Sequence, residues 1–364
     1  MKRISVFAIA AVFLAALLAG CKASPVPAPS GSSSPSSSSS PSASSSPSSS
    51  ASPSSSAGSA KLGLAVLTSL SKSADAGKED GLAEVDSTVV AVTVDKDGKI
   101  QKCIIDAVQA KINFDAKGAL LTPEATVFKT KNELGDAYGM KKSSGIGKEW
   151  YEQAQAFARY VEGKTADEVK NIKVDESNYP TQADLKASVT ISVGSFMDAI
   201  EKAVKSAQNG GTAASDKLSI GVVTKMASST SATADKSGLA EVDSSYLALT
   251  RDAGGKITSC VIDGTQSKIS FTSAGKITTD LSVNPQTKNE LGEAYGMKEA
   301  SGIGKEWKEE AQAFAKYCTG KTAAEIGGVA VDDKGYALSS DIKSSVTISI
   351  GDFKEAVTKA ASSE

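Results

Sequence analysis

Between Val89 and Asp106 the chain reads VVAVTVDKDGKIQKCIID. Val90, Val92 and Val94 alternate with Ala91, Thr93 and Asp95, which predicts a strand with one buried face. A second β-rich run follows. Asp97-Gly98 between them predicts a hairpin turn, since glycine takes positive φ without steric cost. Ala110–Phe114 and Ser267–Phe271 suggest one more strand each. A helical period starts at Trp150 and continues through Ala154, Phe157 and Val161, the i, i+4, i+7, i+11 spacing of one apolar face. Gly163 is a stop signal, and Thr165 has the spacing to cap a short helix over Ala166-Asp167-Glu168. A last helix is predicted over SFMDAIEKAVKSA, with Ser195 and Asp198 at N-cap spacing. VTIS, just before it, is short and β-prone. It places Thr190 near a strand end or in the turn before the helix.

The same pattern then runs again. Lys131–Trp150, KNELGDAYGMKKSSGIGKEW, returns as Lys288–Trp307, KNELGEAYGMKEASGIGKEW. One offset of 157 residues relates these blocks. It also relates Cys103 to Cys260, Phe114 to Phe271, Asp184 to Asp341 and Thr190 to Thr347. A period of this length is a domain duplication, not a solenoid. The expected class is α+β, with repeats over 60–206 and 216–362 and a Gly-containing linker over 207–215. Each is expected to be a small antiparallel sheet with packed helices. In the second copy the turn is Ala253-Gly254-Gly255, the helix face is Trp307, Ala311, Phe314 and Cys318, and the last helix has Asp352 and Glu355 at cap spacing.

Before the repeats, Lys2 and Arg3 precede an apolar run to Leu18, which ends in Leu18-Ala19-Gly20-Cys21. The run is shorter than the ~20 residues a bilayer helix needs. The pattern over 1–20 resembles a bacterial lipoprotein signal peptide, with palmitate-type acyl chains on Cys21; a simple N-terminal anchor is the alternative. Residues 23–58 are almost wholly Ser, Pro, Ala and Gly. They have nothing to bury and read as a disordered tether, 21–59, between membrane and folded part. The expected localisation is extracytoplasmic, held to the cell membrane by lipid.

Composition excludes several chemistries. Histidine is absent, so a Ser-His-Asp triad, an imidazole base and a His metal site have no residue to use. Forty basic residues face 42 acidic ones with no long basic run after the signal, and nucleic acid is not an expected partner. Cys103, Cys260 and Cys318 form no CxxC. Cys318 is either a core thiol or a disulfide partner of Cys260. Glu84, Asp86 and Asp106 recur as Glu241, Asp243 and Asp263, but spacing does not pair them across a cleft as glycosidase chemistry requires. No metal site is expected.

A loop leading into a helix suits an anion, and Ser188, Ser192 and Gly194 are small enough to let a ligand near the backbone. Most such helix starts bind only their own cap. In the near-identical block, Tyr138, Met140 and Trp150, with Tyr295, Met297 and Trp307, either line a flat aromatic ligand or fill a loop–helix junction. Lys141, Lys148, Lys298 and Lys305 are candidates to meet a phosphate.

The order of strand, DxDGKI turn, strand, Gly-rich block, amphipathic helix with GKT, acidic-plus-Thr segment and final helix resembles the FMN-binding domain family of exported bacterial flavoproteins. The resemblance covers most of each repeat. It implies FMN as cofactor and extracytoplasmic electron transfer, with a membrane redox donor and a flavin-attaching enzyme as partners. It places Thr190 and Thr347 where that family can carry FMN through a phosphoester. Asp184 and Asp341 fall at the positions recognised by the attaching enzyme. Gly145, Gly147, Gly302 and Gly304 fall near the family's flavin-facing glycine loop. The family's Gly-Ala before the threonine is Ser188-Val189 here, and Ser345-Val346 in the second copy. Ser344 keeps a hydroxyl that Ala187 lacks, which makes the second copy the better match to the attachment motif. A surface ligand-binding or structural lipoprotein that keeps the scaffold without flavin is the alternative function.

Overall fold

The computed structural model describes residues 60–362; the expected signal peptide, lipidated Cys21 and tether lie outside them. Repeat 1 contains β1 (Ala60–Ser69), β2 (Gly81–Val94), β3 (Ile100–Phe114), β4 (Val127–Phe128), α1 (Lys131–Leu134), α2 (Trp150–Val161), α3 (Ala166–Lys170), α4 (Ala183–Lys186) and α5 (Gly194–Ser206). After β5 (Gln208–Thr212), repeat 2 contains β6 (Lys217–Met226), β7 (Gly238–Arg251), β8 (Ile257–Phe271), α6 (Lys288–Leu291), α7 (Trp307–Cys318), α8 (Ala323–Gly327), α9 (Ser340–Lys343) and α10 (Gly351–Ser362). The architecture is α+β, two similarly built sheet-and-helix regions within one compact unit.

The sheets are antiparallel, ordered β3-β2-β1-β5 and β4-β6-β7-β8. Gly98 makes the predicted turn with φ +80°. Helices cover one face of each sheet. Val90, Val92 and Ile105 meet Trp150, Phe157, Phe196 and Ile200 in repeat 1. Close contact there needs a missing Cβ. A methyl on Gly63 of β1 would sit 2.0 Å from the Ala203 carbonyl of α5, and one on Gly221 of β6 would sit 1.9 Å from that of Ala356 in α10.

The other faces of the two sheets pack on each other. Leu62, Leu64, Val89 and Ala91 meet Leu218, Ile220, Tyr246 and Ala248. Nearer the far end, the equivalent Phe114 and Phe271 stack with centroids 4.2 Å apart and planes 8° apart. The layers are therefore helix, sheet, sheet, helix. Ion pairs reciprocate across the same junction: Lys202 to Glu290 at 2.6 Å and Lys359 to Glu133 at 2.9 Å. Each is partly exposed and contributes at most about 1 kcal/mol, so the apolar faces hold the repeats together.

Two expectations change and two gain detail. Ala110–Phe114 and Ser267–Phe271 are not extra strands but the ends of β3 and β8, whose ladders run unbroken to Gly81 and Gly238. VTIS forms no strand, and of the two expected places Thr190 and Thr347 take the turn before the helix, ahead of α5 and α10. Ser195 is not an N-cap, because α5 begins one residue earlier with Val193 at the cap and no side-chain capping bond; Asp352 likewise falls inside the first turn of α10. The linker is structural, since β5 adds to the edge of β1. The helix at Trp150 and the Thr165–Glu168 and Thr322–Glu325 capping boxes stand as predicted.

Candidate functional site

Each repeat has a cavity at the same place, between the sheet, the near-identical block and the start of the last helix. Fourteen of the seventeen residues lining the repeat 2 cavity have their counterpart 157 positions earlier in the lining of the repeat 1 cavity. The volumes are about 980 Å³ in repeat 1 and about 350 Å³ in repeat 2, both within the usual range for small-molecule sites.

The block explains its own recurrence. Glu149, buried at the head of α2, accepts the N–H groups of Met140 and Lys141 at 2.8 Å each. Glu306 does the same for Met297 and Lys298 at 3.0 and 3.1 Å. These carboxylates fold the loop back so that Tyr138, Met140 and Trp150 wall the cavity, with Tyr295, Met297 and Trp307 in repeat 2. The block thus serves as loop–helix junction and as pocket wall together. Over the wall stands an amine. Lys131 Nζ is 4.8 Å from the Tyr138 ring centre and 4.9 Å from that of Trp150; Lys288 sits 5.0 and 5.1 Å from Tyr295 and Trp307. Burial brings the Lys131 amine down to about 8.

Opposite the wall is the first turn of α5, with Gly194, Ser195 and Phe196 in the lining. No side chain caps it and it carries no acid. Its leading N–H groups and dipole favour an anion. On the sheet side, Lys72 pairs with Asp86 at 2.5 Å. Burial pulls the Lys72 amine down, but Asp86 and Glu84 carry it above its ordinary value. Among the described residues, Asp86 Oδ1 and its counterpart Asp243 Oδ1 are buried without a hydrogen-bond partner. Burial also pushes the Asp243 carboxyl up.

The named site residues divide. Thr347 lines the repeat 2 cavity; Thr190 is set slightly back, while its neighbours Ile191 and Ser192 line the larger one. Neither hydroxyl is idle. Thr190 donates through N–H and Oγ1 to Gln153 Oε1 at 2.7 and 3.2 Å, and Thr347 Oγ1 donates to buried Glu310 at 3.0 Å. Ser188 and Ser345 donate to the carbonyls of Leu185 and Ile342. Asp184 and Asp341 are exposed on α4 and α9. Gly145, Gly147, Gly302 and Gly304 are exposed turn positions with open space where a Cβ would stand, outside both linings. Lys141, Lys148, Lys298 and Lys305 are also outside them. Asp106 and Asp263 serve structure. Each Oδ1 accepts the next backbone N–H and that of Asn132 or Asn289, fixing the short helix that carries Lys131 or Lys288.

Sequence reasoning missed Lys131, Lys72 and the pair Gln153/Glu310. Lys131 was visible as the first residue of the near-identical block. Gln153/Glu310 was visible as a change to an acid three residues into α2 and α7, one of four positions at which the two helices differ.

Fold and site define a tandem-repeat α+β protein whose two repeats carry equivalent cavities. Among known proteins, no family matches the chain and no solved structure matches it. A stretch of 97 residues is 39% identical to a protein named chlorophenol reductase, from Desulfitobacterium hafniense. The match covers 23% of this chain and 29% of that protein, so the chain spans under a third of that relative's length.

Proposed function

We propose that this is a lipid-anchored extracytoplasmic protein whose repeat 1 pocket holds FMN for electron transfer with a membrane redox donor. One observation carries the reading. A single cavity joins an aromatic wall, Tyr138 and Trp150, to an uncapped helix start suited to a phosphate. The planar ring and the anion of FMN match those two ends, and Lys131 and Lys72 add positive charge beside them. The bound isoalloxazine would supply the redox chemistry, and the chain would hold and shield it. That the partial relative is named a reductase agrees with this.

The reading is for non-covalent binding. Esterifying Thr347 would set a phosphodiester monoanion against the Glu310 carboxylate, a like-charge contact where Thr347 now hydrogen-bonds. Thr190 meets the neutral Gln153 amide instead, which makes repeat 1 the better host electrostatically, although Ser344 keeps the motif hydroxyl in repeat 2.

The test is to purify the chain from its exporting host, record visible absorbance and intact mass before and after denaturation, and titrate it with FMN. Flavin released on denaturation, or one equivalent taken up with quenched fluorescence, is the expected result. An FMN-sized mass addition lost in Thr190→Val or Thr347→Val would replace non-covalent binding with attachment by an attaching enzyme. A colourless chain that takes up no FMN would leave the second reading, a surface ligand-binding lipoprotein, which Ser188-Val189 and Ser345-Val346 at the attachment motif favour.

A further inference from the structure

Cys260 and Cys318 come together in repeat 2. Cys260 lies on β8 opposite Leu249. Cys318 is the last residue of α7, wholly buried in the core against which Cys260 packs. Both are free thiols in the same helix–sheet core, and the nearby Cys318 thiol bears on that of Cys260. Repeat 1 supplies an internal control. Cys103 occupies the same ladder position, opposite Val92, but α2 ends in Val161. The same fold thus exists with and without the second sulfur, so packing alone does not call for the pair.

We propose that Cys260 and Cys318 form an oxidisable pair that cross-links β8 to α7 by thiol–disulfide exchange with a small disulfide oxidant. Cys260, the partly exposed member, attacks first as thiolate. It breaks the oxidant's S–S bond and forms a mixed disulfide, releasing one thiol. Cys318, as thiolate, then displaces the second half. The two protein thiols lose two protons and two electrons in all, and the oxidant leaves as two thiols. The Cys318 thiol and burial push the Cys260 thiol well above its ordinary value. Thiolate is therefore scarce near neutrality, and the exchange should speed up as pH rises. The cross-link would pin the far end of the helix whose first turns carry Trp307 and Glu310.

The experiment treats the folded full chain with oxidised glutathione in mildly alkaline buffer. Acid quench, alkylation under denaturing conditions and peptide mass mapping follow. The expected result is a peptide joined through Cys260 and Cys318, two hydrogens lighter than the reduced pair, while Cys103 is recovered alkylated. Cys318→Val, which reproduces the repeat 1 arrangement, should lose the cross-link and leave Cys260 alkylated or glutathionylated. Recovery of Cys260 and Cys318 both alkylated after oxidation overturns the proposal. So does a glutathione adduct on wild-type Cys260 that Cys318 never resolves. Mapping the wild-type chain decides the matter even if the variant folds poorly.

Discussion

The two pockets share their address and most of their lining, yet one is about 980 Å³ and the other about 350 Å³. The difference traces to the segments the repeats lend each other. Val127-Phe128 of repeat 1 hydrogen-bonds onto the end of β6 opposite Lys225 and Thr224, and Phe128 packs into both apolar clusters between the sheets. Its counterpart is Asn284-Pro285. Proline has no N–H to give a ladder. No strand forms there, and the end of β1 at Thr68 and Ser69 stays open as pocket floor with Asn284 and Pro285 as wall. Charge differs in the same direction. Asp352 sits in the first turn of α10, paired with Lys225 at 2.7 Å, so that helix start already has its anion; Ser195 holds the place in repeat 1. Buried Glu310 stands where repeat 1 has Gln153. Duplication kept the frame and the aromatic wall, while a few edge residues separated a wide pocket with an acid-free helix start from a narrow one with an acid there.

Where the repeats are equivalent, they should respond equally, and the largest effect tests that. Phe114→Ala and Phe271→Ala should each cost about 3–5 kcal/mol in urea unfolding, because each removes half of one buried stack. The double variant should cost less than the sum, since the second truncation finds the contact already lost. A large penalty at one position and none at the other would break the equivalence.

The next effect is on the pH dependence of stability. Burial raises the Asp106 carboxyl from 3.8 to about 7 and that of Asp263 to about 6. Between 3.8 and those values the folded chain holds protons that the unfolded chain has released. Their stabilising contribution is complete below about pH 4 and is lost as pH rises, through about 6 for Asp263 and about 7 for Asp106. Asp106→Asn keeps an acceptor for the two N–H groups without the titrating charge. It should flatten the upper part of that fall, by an amount on the order of a few kcal/mol, while Asp263→Asn flattens the lower part. Unfolding curves that keep the wild-type slope in both variants would sink the assignment.

Much of this frame was legible in the chain. The 157-residue offset, the turn at Gly98, the helix at Trp150 and the capping boxes are local signals, each set by residues within one turn or one strand. The helix–sheet–sheet–helix stack was not. Val90, Val92 and Val94 alternate with Ala91 and Thr93, which reads as one buried face, yet Ala91 and Thr93 are buried too. Small residues under a facing sheet leave no hydrophobic signature. Ala110–Phe114 read as a separate strand because Asp106 and Gln109 interrupt the apolar run, but the ladder needs only backbone. The pocket's size hangs on Phe128 against Pro285, a contrast that acquires meaning only when it is known which strand end each residue meets.

That contrast gives the third test. Pro285→Phe copies the repeat 1 residue into the wall of the larger pocket. It should weaken FMN binding at least about tenfold, equivalent to ~1.4 kcal/mol, with unfolding unchanged. Phe128→Pro is the reverse exchange and should widen the repeat 2 cavity at a cost in stability, because it removes half-buried apolar area and a ladder donor. If Pro285→Phe binds FMN as the wild type does, the wall of the larger pocket does not govern entry.

The smallest effect singles out Lys131. Its amine, held down to about 8 by burial over Tyr138 and Trp150, is charged in neutral buffer and neutral in mildly alkaline buffer. An anion in the cavity favours the charged form. FMN affinity should therefore fall as pH rises through about 8 and level off above it, a change of a few-fold because the helix start and Lys72 still face the ligand. Lys131→Met should bind a few-fold more weakly at about pH 6.5 and match the wild type at about pH 9. Lys288→Met, at the equivalent place in the narrow pocket, should leave the titration unchanged. Fluorescence-quenching titrations of the three chains across that range decide it. A wild-type affinity that does not change with pH, or an equal loss in both variants, would mean that the two pockets meet the ligand alike and that the asymmetry between them is one of shape alone.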